Sequence, residues 1–137
     1  MIKKFWRVFL VSFMTFCLSL SFLSEPAFAA RTAMTGDYEK DTIEVAKVLK
    51  ESVADPDSEE YISLSGEDTV LLITDYISRY RNRSQINQKV SFTTMQTALN
   101  ALAGHYKTFP NRSVPETLKT RLEKELSKAE TLVLKQS

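Results

Sequence analysis

"SFTTMQTALNALAGHYKTF", residues 91–109, decides the fold class. Phe92, Met95, Leu99, Leu102, Tyr106 and Phe109 recur at alternating steps of three and four, the spacing that gathers side chains on one face of an α-helix. Pro110 stops the run, because its ring lacks an N–H and clashes with the preceding turn. Three other segments carry the same period. Upstream, Val70, Ile73, Ile77 and Tyr80 form the expected buried stripe of a helix from about Glu67 to Arg83. Ser65 and Asp68 have capping-box spacing ahead of it, and Gly66 between them marks a break. Further upstream, Tyr38, Thr42, Val45, Leu49 and Val53 define a helix that begins after Asp37 with acids in its first turn. It stops at Asp55, which Pro56 pushes out of the helical region. Downstream, Ser113 and Glu116 have the spacing of a second capping box with Pro115 in the first turn. Leu118, Leu122, Leu126, Ala129 and Val133 carry the last stripe.

No stretch alternates with period two for long enough to make a strand. Connections of roughly 6 to 12 residues make successive helices antiparallel neighbours. The expected architecture is all-α, an up-down-up-down four-helix bundle over residues 37–137, large enough to bury one core.

The first 29 residues belong to something else. Lys3, Lys4 and Arg7 form a positive start, Val8 to Leu23 is an apolar run, and "AFA" at 27–29 supplies small residues for cleavage between Ala29 and Ala30. The run falls short of the ~20 residues needed to span a bilayer. It is expected to be a cleaved secretory signal, followed by a flexible leader over 30–36. The only cysteine, Cys17, lies inside the run behind bulky Phe16, where a lipoprotein signal needs a small residue. The mature chain therefore has no thiol and no disulfide.

Removal of the signal takes away three basic residues and Glu25, leaving 15 basic residues against 16 acidic ones. Export and charge balance together argue against a nucleic-acid partner. The charge is unevenly placed, with eleven acids and three lysines from Asp37 to Asp68, and six basic residues and no acid from Tyr76 to Arg112. Such a molecule is electrically polar, and its basic region suits an anionic partner.

Catalytic and metal chemistry find little support. One histidine, His105, cannot build a two-histidine metal site, and its position on the flank of the third stripe fits a hydrogen-bonded residue near a helix end. The acidic run Asp55, Asp57, Glu59 and Glu60 fails as a calcium loop, since Glu60 and Gly66 stand where glycine and a bidentate glutamate are needed. Ser84, Ser91 and Ser113 have no glycine-flanked elbow around them. A non-enzyme is expected. The competing class, a generic exported four-helix metal or haem binder, would need a Glu-x-x-His pair, but Leu102 stands three places before His105. A membrane-surface helix is disfavoured by the even, core-compatible stripes of all four segments.

The remaining feature is "DYISRYRNR" at 75–83. On a continuous helix Tyr76, Arg79 and Arg83 share a flank with Leu72, while Arg81 projects elsewhere. Asp75 and Arg79 are an i,i+4 pair, whereas Arg83 has no nearby partner in sequence. Arginine beside tyrosine is a composition enriched in protein interfaces.

"DYISRYR" at 75–81, "SFTTMQTALNALAGHY" at 91–106 and "FPNRSVPETLKTRLEKE" at 109–125 resemble the photosystem II assembly and repair family Psb twenty-seven, and the resemblance extends from "MTGDYEKDT" through nearly the whole mature chain. It implies a small helical bundle without cofactor in the thylakoid lumen, peripheral to the membrane. It also implies transient association with photosystem II assembly intermediates through the lumenal domain of the inner-antenna chlorophyll protein forty-three. The implied role is to keep extrinsic proteins from binding too early and to leave the manganese site open to assembly. Many bacterial members carry a lipidated cysteine at the mature N-terminus, where this chain has Ala30, so attachment through protein contacts and a free monomer are expected. For the interface the resemblance points to Arg79, Arg83, Asn111 and Arg112, polar residues inside or beside the matching blocks.

Overall fold

The computed structural model describes residues 34–136, so the expected signal peptide, the Ala29/Ala30 cleavage point and residues 30–33 of the leader lie outside the described residues. Four α-helices follow in order: α1 Tyr38–Val53, α2 Gly66–Tyr80, α3 Val90–Thr108 and α4 Glu116–Lys135. Each packs on its sequence neighbour, and α4 closes the ring against α1. Tyr76 near the end of α2 meets Thr42 near the start of α1, and Ser91 at the start of α3 meets Gln136 just past α4. The direction therefore reverses at every connection, and the bundle is up-down-up-down as the stripes require.

The core is filled by Val45, Leu49 and Val53 from α1, Leu72 and Ile73 from α2, Phe92, Met95, Leu99 and Leu102 from α3, and Leu122, Leu126, Ala129 and Val133 from α4. The stripe of α3 runs as expected as far as Leu102, with Tyr106 half-buried below it. Phe109 departs from it: the helix ends at Thr108, φ at Phe109 is −133°, and the ring is 42% exposed.

In α2 the buried face is rotated from the expected one. Gly66, Thr69, Leu72, Ile73, Tyr76 and Tyr80 are buried, while Val70 and Ile77 lie at the edge. Hydropathy favours valine and isoleucine for the inside, but Thr69 satisfies its hydroxyl on the Ser65 carbonyl at 2.8 Å and Tyr76 satisfies its own on Thr42. A buried hydroxyl with a partner costs little, so the larger tyrosine ring takes the interior. The helix also ends at Tyr80, three residues short of the expected Arg83.

The two expected capping boxes differ in outcome. Ser65 caps α2, its Oγ accepting from the Asp68 N–H at 3.0 Å and donating to the Asp68 carboxylate at 2.6 Å. Ser113 does not cap α4, because Pro115 takes the cap position and no side chain accepts from the first turn. Gly66 is also more than a break. A Cβ there would stand 2.6 Å from the Pro110 carbonyl oxygen and 2.7 Å from the Tyr106 ring, so the start of α2 approaches the end of α3 at a distance only glycine allows.

Candidate functional site

At the end of the bundle where α1 begins and α2 finishes, a polar layer replaces the aliphatic core. Asp41 is 3% exposed although charged. Its Oδ1 accepts from the Thr35 N–H at 2.8 Å and the Thr35 hydroxyl at 2.9 Å, and its Oδ2 accepts from the Gly36 N–H at 3.0 Å and from the Tyr80 hydroxyl. Burial works to raise the Asp41 pKa, but these donors outweigh it and hold the carboxyl below the ordinary aspartate range. Tyr80 is displaced upward by burial and by its bond to that carboxylate. Tyr76 is likewise displaced upward, chiefly by burial. Both rings are 0% exposed.

Cations cover this layer. The Arg83 guanidinium lies 4.9 Å from the centre of the Tyr80 ring, the Tyr80 and Tyr38 rings meet edge-on at 5.3 Å, and the Lys89 ammonium stands 5.6 Å from the centre of the Tyr38 ring. Two cations thus bracket two tyrosines, each held by attraction to a ring face. Arg83 also donates to the Gly36 carbonyl at 3.3 Å. Arg79 pairs with Asp75 at 3.8 Å on the adjoining surface of α2. The connection that carries Arg81 and Arg83 is folded: Arg83 N–H returns to the Tyr80 carbonyl, Asn87 donates to the Arg81 carbonyl, and Ile86 packs against the core. Of the leader expected over 30–36, the described residues 34–36 are likewise bound, with Met34 packed against the core.

The four proposed interface residues do not share one patch. Arg79 and Arg83 sit at this tyrosine end. Asn111 and Arg112 lie in the α3–α4 connection beside Gly66, at the other end of α2, about 20 Å away by the rise of thirteen helical residues. There Arg112 covers the Phe109 ring at 5.0 Å, and its carbonyl meets His105 Nε2 at 3.0 Å. His105 is half-buried near its helix end, as its position suggested. Tyr76 also leaves the expected surface group, because it points inward to Thr42.

Sequence reasoning missed Lys89, Tyr38 and Asp41 as members of the site. The Tyr38–Ser91 and Asp41–Tyr80 bonds that tie the helices together here span 53 and 39 residues, and no spacing rule links them. The one available clue was Asp41 itself, a charge one step from the buried stripe of the first helix. Ser91 serves this layer, bonded at 2.8 Å to both the Tyr38 hydroxyl and Gln136. Among the described residues no group of three or more His, Cys, Asp or Glu side chains is placed to hold a metal ion, and no helix is long and apolar enough to cross a membrane.

The profile of the family described as Photosystem II Pbs27 matches residues 7–133. A protein of Thermosynechococcus vestitus named "Photosystem II assembly factor lipoprotein Psb27" is 36% identical over 128 residues, which cover 93% of this chain and 92% of the relative. The "Photosystem II lipoprotein Psb27" of Synechocystis is 42% identical over 99 residues, covering 72% and 74% of the two chains. A solved structure titled "Solution Structure of Psb27 from cyanobacterial photosystem II" superposes with a TM-score of 0.65 at 39% identity, covering 77% of this chain and 92% of that one. With the bundle, the match over most of its length and the likeness to a solved member in agreement, this chain belongs to the photosystem II Psb27 family.

Proposed function

We propose that this protein is a non-catalytic assembly and repair factor of photosystem II. It acts in the thylakoid lumen and binds transiently to the lumenal domain of the inner-antenna chlorophyll protein forty-three in assembly intermediates. Family membership supports the first part, since the cyanobacterial relative is named an assembly factor. The observation that carries the docking part is the cation-and-tyrosine end, where Arg83 and Lys89 lie on tyrosine rings of the polar layer and Arg79 pairs with Asp75 beside them. The Arg83 guanidinium, already held on an aromatic ring, loses little freedom when it meets a carboxylate, which favours an acidic protein surface as the partner. Docked there, a bundle of this size acts by occupancy, keeping extrinsic subunits away until it leaves. With cleavage expected after Ala29 and Ala30 standing in place of a lipidated cysteine, attachment would rest on protein contacts. The Asn111 and Arg112 pair belongs to a separate face and is a second, independent candidate contact.

Cross-linking in thylakoids tests this reading. The wild-type chain is expected to recover the antenna protein, and the Arg79→Glu, Arg83→Glu double variant is expected to recover much less. Equal recovery would remove the proposed patch, and recovery of no photosystem II subunit would remove the docking function itself.

A further inference from the structure

Residues 34–36 form a strap with an unusual anchor. Gly36 turns through φ +86°, a conformation side chains resist, and this turn aims the N–H groups of Thr35 and Gly36 together at the Asp41 carboxylate. The same turn leaves the Gly36 carbonyl facing Arg83. Asp41 in turn accepts from Tyr80, whose ring carries the Arg83 guanidinium. Arg83 is therefore fixed on two sides by groups that Asp41 holds: the ring through one carboxylate oxygen, the strap carbonyl through both. The side chain otherwise remains exposed, with donors left for an outside acceptor.

We infer that the strap, through Asp41, is a positioning device that holds Arg83 ready for its acidic protein partner, so that residues that do not themselves touch the partner set its affinity. This rests on the docking reading above. Its physical basis is that ordering a long arginine side chain before contact removes an entropy cost otherwise paid on binding. Thr35, Gly36 and Asp41 touch no partner in this scheme and act through Arg83 alone.

Two variants of the full chain separate the strap from the fold. Gly36→Ala opposes the positive φ, yet no neighbouring atom lies within 4 Å of the new Cβ, so the methyl group itself meets no clash. Asp41→Asn weakens the anchor itself. Amide exchange at Thr35 and Gly36, slow in the wild type, is expected to speed up in both. Binding to photosystem II core membranes stripped of extrinsic subunits should weaken about three- to tenfold in each, the range for loss of one pre-ordered side chain. In an Arg83→Ala background neither substitution should weaken binding further, which a general loss of stability would not reproduce. Rapid exchange of these two amides in the wild type, unchanged binding once the strap is released, or losses that add to that of Arg83→Ala would each overturn the inference. A wild-type chain that does not bind the membranes at all would sink the docking reading and this one together, whereas binding that depends on Arg83 but not on the strap would sink only this one.

Discussion

Tyr80 donates its phenolic proton to the carboxylate of Asp41, joining the last turn of α2 to the first turn of α1 across 39 residues of sequence. A charge buried this fully is tolerated because every bond it accepts comes from a donor on the strap or on α2. The pair links the stability of this end of the bundle to its protonation.

The first prediction concerns acid. Because the folded pKa of Asp41 lies below its unfolded value, the unfolded state binds more protons in the window between the two, and stability rises with pH across it. The contribution is complete above the unfolded pKa of about 4 and is lost as pH falls through the folded value. Chemical denaturation between pH 2 and 6 should show this loss, and Asp41→Asn should flatten the acid limb while lowering stability at pH 6 by about 2 kcal/mol.

At the alkaline side the sign reverses. Tyr76 and Tyr80 are both raised above the ordinary phenol value, so their contribution is present below about pH 10 and declines as pH climbs toward their folded values. Ultraviolet titration of phenolate should show late-ionising tyrosines that titrate together with unfolding, and Tyr80→Phe should remove one of them.

Thr42 and Tyr76 make an asymmetric pair. The Thr42 hydroxyl donates its one proton to the Tyr38 carbonyl at 2.6 Å, so the bond of 2.7 Å to Tyr76 must be donated by the phenol. Tyr76→Phe removes a donor from an oxygen that is otherwise engaged and should cost about 1 kcal/mol. Thr42→Val takes away the acceptor of a buried O–H and should cost more, about 2 kcal/mol. The double variant should cost less than the sum, which a double-mutant cycle by denaturant titration measures.

Gly66 offers a test of close packing. A methyl group there meets a backbone carbonyl and a half-buried ring at distances no relaxed contact has, so the start of α2 must separate from the end of α3. Gly66→Ala should destabilise by about 1–3 kcal/mol despite the better helix propensity of alanine. Thermal melts would check it, and a neutral or stabilising result would show that the two helices part freely.

The separation of the basic residues predicts unequal effects on docking. Charge reversal at Arg79 and Arg83 should slow association and reduce its dependence on salt, while Arg112→Glu at the other end should have a smaller effect that adds to the first, and a change of less than about twofold would remove the second contact. Surface plasmon resonance at two ionic strengths distinguishes the ends.

The sequence by itself determined the class of this protein. Steps of three and four in all four segments place enough apolar surface on one face of each helix that only mutual burial satisfies them, and short connections then fix the antiparallel order. What it could not determine was which polar residues join the interior. Hydropathy ranks Val70 and Ile77 above Thr69 and Tyr76, and it places Asp41 outside, because it does not register the Ser65 carbonyl that accepts from Thr69, the Thr42 oxygen on α1 that accepts from Tyr76, or the strap and Tyr80 donors around Asp41. The docking end has the same origin. Arg79 and Arg83 were legible as a charged run, but their separation from Arg112 and their union with Tyr38, Lys89 and the strap depend on which helix ends meet. Periodicity is a local property of the chain, while the partner of a buried hydroxyl or carboxylate is a property of the assembled bundle.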